Sequence, residues 1–180
     1  MSTALHAQRA AGTSAAVGVP LAAALEARTH AALGRAKETR KAVARAEDGL
    51  ARLGQEDLTP SAFGYDEAQL RFHEGSALTH LGEVEDAAAA QDRALELYTE
   101  SEYLDRALVR LDQAHCLARR DEPVAAVTLA ATTLSQLRED QRDGLILQRA
   151  SDLLRDLPVA TLPRAPVREL RELLAGGADR

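Results

Sequence analysis

The stretch from Tyr65 to Leu95 constrains the fold of this chain most, because small residues recur at fixed places in two helix-forming segments. Gly82 separates the two segments, and a glycine at such a place readily ends one helix and lets the chain reverse. Gly75, Ala87 and Ala94 leave room for two helices to approach closely. This pattern predicts a helical hairpin, which cannot bury a core alone and therefore needs neighbouring hairpins.

The same order of small and apolar residues returns elsewhere in the chain. About 39 residues further on, Gly75, Leu78, Ala87 and Leu95 correspond to Ala114, Leu117, Ala126 and Leu134. A weaker, earlier copy contains Leu33, Ala42 and Leu50. Constant spacing within each hairpin, with unequal connections between hairpins, is typical of repeat proteins.

The composition favours helices over strands. The chain of 180 residues is 46% hydrophobic, yet it contains only two Phe, three Tyr and no Trp, and runs of β-branched residues are nearly absent. Strands are usually built from aromatic and β-branched residues, whereas Ala and Leu favour packed helices. The sequence therefore predicts an all-α fold with a continuous core.

Charge and cysteine content limit the partners. The net charge of −6 argues against direct nucleic-acid binding by this segment, which requires a basic surface. No apolar run approaches the roughly 20 residues of a membrane span, and the N-terminus does not resemble a signal peptide. The single cysteine, Cys116, excludes an internal disulfide and is expected to be a small buried hydrophobe. We expect a soluble, cytoplasmic protein that binds no membrane.

The small–apolar–small pattern resembles the tetratricopeptide repeat, whose first helix carries Gly or Ala followed by Leu or Tyr and whose second helix carries two Ala positions. Some positions depart from that repeat. Arg71 and Arg110 replace the usual large aromatic, His30 occupies a small position of the early copy, and Thr133 replaces an Ala. The resemblance implies a right-handed superhelix of stacked hairpins.

On this basis residues 1–180 are predicted to form one all-α domain, a tetratricopeptide-like helical-hairpin repeat with three to four hairpins and a C-terminal capping helix. The predicted parts are a partial N-terminal helix in 1–19 with a turn over 12–18, hairpins at 20–54, 65–99 and 104–138, a C-terminal hairpin or cap at 141–175, and a disordered tail at 176–180. An exposed loop is expected at 55–61, and Phe63 and Tyr65 are expected to cover the edge of the next hairpin.

A longer resemblance covers nearly the whole chain. The segments 24–34, 63–75, 105–118 and 167–174 are similar to the tetratricopeptide-like sensory half of actinobacterial helix-turn-helix transcriptional regulators of the Cro/repressor-like class. In such regulators a DNA-binding domain precedes the repeats, and no such domain is visible in this sequence. The resemblance implies ligand or partner sensing and possible homodimer formation, either as part of such a regulator or as a separate repeat protein.

In a tetratricopeptide-like arrangement, the first helix of each hairpin lines a concave groove. The predicted groove residues are Gln69, Phe72, Ser76, Thr79, His80, His115 and Arg119. An aromatic ring, two imidazoles and a guanidinium would suit an extended peptide or a small anionic ligand. The alternative is that these side chains form an ordinary solvated helix surface.

No pattern indicates catalysis, a cofactor or a metal. His73 and His80 lie two turns, or roughly 10 Å, apart on a helix and cannot bind one metal unaided. His115 and Cys116 are sequence neighbours, so their side chains leave a helix in different directions. We therefore predict a non-enzymatic protein- or peptide-binding module, the sensory or dimerisation part of a transcriptional regulator. The alternative is a stand-alone scaffold or accessory protein that joins other proteins.

Two further expectations concern structural contacts. Arg106 and Arg110 need acidic partners, and Glu96 or Glu100 of the preceding hairpin could supply them. The leucines at 170, 173 and 174 must either cover the open end of the stack or meet a second subunit.

Overall fold

A computed structural model describes the chain over residues 2–54, 65–142 and 144–178, with side-chain burial described from residue 17. Its helices are α1 (Ser2–Ala32), α2 (Ala36–Ala51), α3 (Glu67–Leu81), α4 (Val84–Leu97), α5 (Tyr103–Arg119), α6 (Pro123–Gln136), α7 (Gly144–Asp156) and α8 (Ala165–Ala178). Short 3₁₀ turns cover Glu139–Gln141 and Val159–Thr161. These ranges contain no strand, so the predicted all-α class is confirmed. The loop at 55–61 and Phe63 lie outside the described residues.

Consecutive helices pair as hairpins, and the hairpins contact one another in chain order. The pairs are α1 with α2, α3 with α4, and α5 with α6. The first helices also touch in sequence, α1 against α3, α3 against α5, and α5 against α7, and we call these four the first-helix layer. The last helix, α8, packs on α6 and α7.

Helix ends follow from local chemistry. The Asp66 carboxylate accepts a hydrogen bond of 3.0 Å from the Gln69 backbone N–H and so caps α3. Gly82 ends α3 with φ of 77°, a left-handed conformation that a glycine adopts without strain. Pro123 begins α6, where its missing N–H has no intrahelical partner to lose.

Small residues allow close helix packing, as predicted. Ala87, Ala94 and Ala114 are fully buried. A Cβ added at Gly75 would lie only 2.9 Å from Gln91 Cγ of α4, so a glycine is needed for this approach. The close approach of α3 and α4 in the second hairpin therefore depends on the absence of a side chain at Gly75.

Two predicted helix boundaries are wrong. The turn over 12–18 is absent, because α1 runs without interruption from Ser2 to Ala32 and contains Pro20. Pro20 is buried, and a Cβ added at Gly49 of α2 would come within 2.9 Å of its Cβ. Local rules place a proline at the start of a helix. Pro20 instead lies inside α1, where it packs closely against α2. At the other end, α8 continues through Gly176 to Ala178, where a disordered tail was expected.

The buried apolar residues form a main core and smaller clusters. The main core runs through α3 to α8 and includes the fully buried Leu111, Leu134 and Leu153. A separate cluster joins α1 and α2 to the start of the second hairpin through Tyr65 and Leu70. Tyr65 is thus buried between hairpins, in agreement with its expected covering role.

Polar contacts also connect the hairpins. The Arg106 guanidinium donates to the carbonyl oxygens of Leu95 and Tyr98 and lies 2.9 Å from the Glu100 carboxylate, which confirms the expected contact with the preceding hairpin. Arg71, which stands where the repeat usually has an aromatic, binds Glu47 of α2 at 2.8 Å. An ion pair therefore connects the first and second hairpins at this place.

The leucines of the last helix cover the end of the core. Leu170 is fully buried, and Leu173 and Leu174 are partly buried against the main core. These leucines therefore cover the end of the stack within the chain, which is the first of the two alternatives given by the sequence.

Candidate functional site

A polar cavity of about 250 Å³ lies between α3, α5 and α7 of the first-helix layer. Four of the seven predicted groove residues line it, namely Thr79, His80, His115 and Arg119. Helix α7 supplies the rest of the lining, which is Arg149, Asp152, Arg155 and Asp156. This α7 contribution was not predicted from the sequence.

The other three predicted residues lie elsewhere. Phe72 is only 8% exposed and Ser76 is fully buried, so both pack between helices instead of facing the cavity. Gln69 is half-buried near the start of α3 and does not line the cavity. The reason is that α3 contacts α1, α2, α4 and α5, which together cover most of its circumference.

Both cavity histidines are hydrogen-bonded to backbone carbonyl groups. His80 Nδ1 lies 2.8 Å from the Ser76 carbonyl oxygen, so this nitrogen carries a proton and donates to the carbonyl. His115 Nε2 lies 3.4 Å from the Arg149 carbonyl oxygen. Burial lowers the pKa of His115, which favours the neutral imidazole. The His115 ring thus offers a neutral hydrogen-bonding group to the cavity.

Two charged groups at the cavity are unpaired. Among the described residues, neither the Arg119 guanidinium nor the Asp156 carboxylate makes an ion pair, whereas Asp152 pairs with Arg155. Arg119 lies against the end of α3, because a Cβ added at Gly82 would be 3.1 Å from its Nη1. The cavity therefore presents one available positive charge and one available negative charge.

A buried ion pair forms the wall between α5 and α7. Arg149 Nη1 lies 2.8 Å from Asp112 Oδ1, and the two side chains are only 15% and 2% exposed. A charged residue this deeply buried is normally paired, so Asp112 fixes the position of Arg149. The sequence contains a hint of this, since Asp112 lies four residues after Leu108 and four before Cys116, on the same face of the helix as these apolar residues.

A further arginine reaches the same region from α1. The Arg28 guanidinium carbon lies 5.7 Å from the centre of the Phe72 ring, within the range of a cation–π contact. Burial lowers the pKa of Arg28, and the positive charge of Arg149 acts in the same direction while Asp112 opposes it. The charges of Arg149 and Asp112 thus act on Arg28 in opposite directions, although the three residues belong to three different helices.

On a different face of α5 from His115, Cys116 belongs to a buried polar network. Gln91 Nε2 donates to Thr79 Oγ1 at 2.8 Å, and Thr79 Oγ1 donates to the Gly75 carbonyl oxygen at 2.8 Å. Cys116 Sγ lies 3.5 Å from the same hydroxyl and is buried, as predicted. The thiol is thus separated from His115, whose ring faces α7.

The described ranges contain neither a membrane-spanning helix nor a cluster of metal-binding side chains. No helix there combines the length and the apolar character needed to cross a membrane. No group of three or more His, Cys, Asp or Glu side chains there could hold a metal ion. Comparison of the chain with protein-family models, with curated proteins and with solved structures gives no match.

Proposed function

We propose that this chain is a non-enzymatic, tetratricopeptide-like repeat module that binds an extended peptide or a segment of a partner protein in the cavity between α3, α5 and α7. The observation that carries the proposal is the unpaired Arg119 and Asp156 at a cavity whose other charges are paired. A peptide offers both signs of charge along with backbone hydrogen-bonding groups. The recurring small residues and the chain-order contacts of the hairpins support the repeat architecture.

The size and lining of the cavity favour a peptide over a compact apolar ligand. At about 250 Å³ the cavity is smaller than the roughly 300–1,000 Å³ of typical small-molecule pockets. Its lining consists of hydroxyl, imidazole, guanidinium and carboxylate groups. A short stretch of peptide with polar side chains would satisfy these groups without needing to fill a deep apolar pocket.

The absence of catalysis is part of the proposal. Both cavity imidazoles are hydrogen-bonded to backbone carbonyls. A catalytic histidine normally contacts a nucleophile and is held in place by a third group. The cavity's hydroxyl group, that of Thr79, already donates to the Gly75 carbonyl and accepts from Gln91. These contacts suit binding better than reaction.

Selection of peptides from a random-sequence display library tests the proposal. Enriched peptides are expected to bind the wild-type chain and to bind the Arg119→Ala variant about 10- to 100-fold more weakly, since a hydrogen bond to a charged group contributes about 1.5–3 kcal/mol. Arg120→Ala is the matched control, because Arg120 is the next residue and pairs with Glu85 of α4 at 2.8 Å. Failure to enrich any peptide, or equal weakening by the two variants, would contradict the proposal.

The regulatory role rests on the resemblance of the chain to sensory halves of helix-turn-helix regulators. It is tested by the mass of the protein isolated from its native cell. A DNA-binding domain in the same chain would add to the 19.3 kDa of these residues. A native protein of 19.3 kDa would contradict the role as one half of a single-chain regulator.

The scaffold alternative would use a second cleft, of about 580 Å³, between α2, α3 and α4. Its charged groups are largely paired already, for example Arg71 with Glu47 and Arg93 with Glu67. A partner would therefore have to displace existing ion pairs. Light scattering on the purified protein distinguishes a monomer from the homodimer that the regulator resemblance implies.

A further inference from the structure

A third cavity, of about 160 Å³, lies between α5, α6 and the 3₁₀ turn over Glu139–Gln141. We call it the Arg110 cavity. Its charged and amide groups come from two arginines, two glutamines and one glutamate, namely Arg106, Arg110, Gln136, Gln141 and Glu100. Arg110 and Arg119 are nine residues apart on α5, so at about 100° per residue they leave opposite faces of the helix. The Arg110 cavity is therefore separate from the cavity between α3, α5 and α7.

One of the two arginines has its charge balanced. Arg106 Nη1 donates to the carbonyl oxygens of Leu95 and Tyr98, at 3.1 and 2.7 Å. Its Nη2 lies 2.9 Å from Glu100 Oε1, and the Arg106 side chain is only 14% exposed. Arg106 is therefore a structural contact with the preceding hairpin, and its counter-charge is already in place.

The other arginine, Arg110, has no such counter-charge. The acidic partner expected for it from the sequence is absent from the residues that the structure describes. Its hydrogen bond runs from Nη1 to Gln136 Oε1 at 3.1 Å, which uses one of the five N–H groups of the guanidinium. The Arg110 cavity thus contains two guanidinium groups and one carboxylate, which leaves one excess positive charge.

The two glutamines add further donors to this cavity. Gln136 Oε1 accepts from Arg110, and Gln141 Oε1 accepts from the Arg138 backbone N–H at 3.0 Å. Both partners can only donate, so each amide must turn its oxygen toward the partner. The amide oxygens are therefore already used, and the NH₂ groups of the two side chains are left as donors. A ligand of the Arg110 cavity is thus expected to supply hydrogen-bond acceptors and negative charge.

We propose that the Arg110 cavity binds one carboxylate group, that of an aspartate or glutamate side chain of a partner protein. A planar carboxylate matches the two-pronged donor edge of the Arg110 guanidinium, and its single negative charge equals the excess charge of the cavity. A phosphate group, with a charge of about −1.5 to −2, would exceed that charge and would face the Glu100 carboxylate. At about 160 Å³ the cavity is smaller than the roughly 300–1,000 Å³ of small-molecule pockets, so it suits the end of a side chain whose backbone lies outside.

The site is tested by NMR of the full chain labelled with ¹⁵N-arginine. Sodium acetate replaces sodium chloride at constant ionic strength, and the Arg110 Nε–Hε signal, assigned as the one lost in Arg110→Lys, is followed. A saturable shift of this signal is expected. Arg168, exposed on α8, is the matched control and should shift only in proportion to the acetate. If Arg110→Lys fails to fold, Gln136→Ala provides the assignment, because loss of the hydrogen-bond acceptor moves the Arg110 signal.

Two results of the titration would overturn the carboxylate site. The first is a non-saturating shift of Arg110 equal to that of Arg168. The second is saturation at lower concentration by sodium phosphate than by acetate, which would replace the carboxylate by a phosphate group.

Blocked amino acids then test an acidic side chain as the source of the carboxylate. Glutamate with an N-acetyl group and a C-terminal methylamide should give the saturable shift seen with acetate, and the glutamine analogue, which lacks the charge, should give none. Equal shifts with the two compounds would contradict recognition of the carboxylate. A response to acetate without one to blocked glutamate would assign the cavity to a free carboxylic acid and contradict the partner side chain.

This inference goes beyond the proposed peptide site and can fail independently of it. Arg110→Gln should abolish saturable binding of acetate, detected by ¹³C-acetate line broadening, and should leave the affinity for display-selected peptides within twofold of wild type. Arg119→Ala should do the reverse. Weakening of peptide binding by Arg110→Gln as large as that by Arg119→Ala would contradict a separate site on α5.

Discussion

His73 of α3 makes the stability of the fold depend on pH. The ring is 8% exposed, and its centroid lies 6.4 Å from that of Tyr65 and 5.1 Å from that of Phe72. Its Nδ1 is buried without a hydrogen-bond partner. Burial lowers the pKa of His73 from 6.5 to about 4, and the charge of Arg28 acts in the same direction. The folded chain therefore holds this imidazole neutral at pH values where the unfolded chain protonates it.

The sign and size of the effect follow from these two pKa values. Between pH 4 and 6.5 the unfolded state binds more protons at His73 than the folded state, so the free energy of unfolding rises with pH in this window. The full pKa difference corresponds to about 3 kcal/mol, of which about 2 kcal/mol is lost on going from pH 7 to pH 5. Above pH 7 the contribution is constant.

Urea unfolding of the wild-type chain and of His73→Phe, followed by circular dichroism at pH 5, 6 and 7, measures this contribution. The variant keeps a ring between Tyr65 and Phe72 and should lose most of the pH dependence of stability. A smaller pH dependence should remain, because the pKa of His115 is also lowered in the folded chain. His80→Gln serves as a control, since His80 is exposed. Equal pH dependence in wild type and His73→Phe would refute the assignment to His73.

Three other substitutions test the packing and the buried ion pair. Gly75→Ala should destabilise the fold by about 1–2 kcal/mol in urea unfolding, because the new Cβ would lie 2.9 Å from the buried Gln91 side chain. This overpacking outweighs the gain in helix propensity. Unchanged stability would mean that α4 can shift. Asp112→Asn should lower the free energy of unfolding by about 3–5 kcal/mol, since it leaves Arg149 buried without its carboxylate. Replacing Arg149 by Met in that variant should recover part of the loss, and a further loss would contradict the reasoning. Gly82→Ala should lower the melting temperature through a strain of about 1 kcal/mol at φ of 77°, whereas an unchanged value would show that the turn adapts.

The helical hairpins could be predicted because their determinants are local. Gly82 and Pro123 mark helix ends through their own backbone preferences, and Ala87 and Ala114 mark close contacts through their size. Pro20 shows the limit of such rules. Its preference for a helix start was overridden where the ring packs on Gly49, a contact between residues far apart in sequence.

The candidate site was only partly predictable for the same reason. His80 on α3 and Arg119 on α5 could each be placed at the cavity from the spacing to the small residue of the same helix. Phe72 and Ser76 could not, because neighbouring helices on several sides of α3 decide which of its residues remain accessible. Asp112 and Arg149 are brought together from two helices, α5 and α7, and no spacing within one helix indicates that they meet.

The division of the buried residues into separate clusters has a consequence for local unfolding. Because α1 and α2 pack through the small Tyr65 cluster and not through the main core, fewer buried contacts oppose their detachment than oppose unfolding of the whole chain. Backbone amides of α2 should therefore exchange with deuterium faster than those of α5, through openings that leave the later helices intact. Since Arg28 belongs to α1, such an opening would also withdraw its guanidinium from the Phe72 ring of α3.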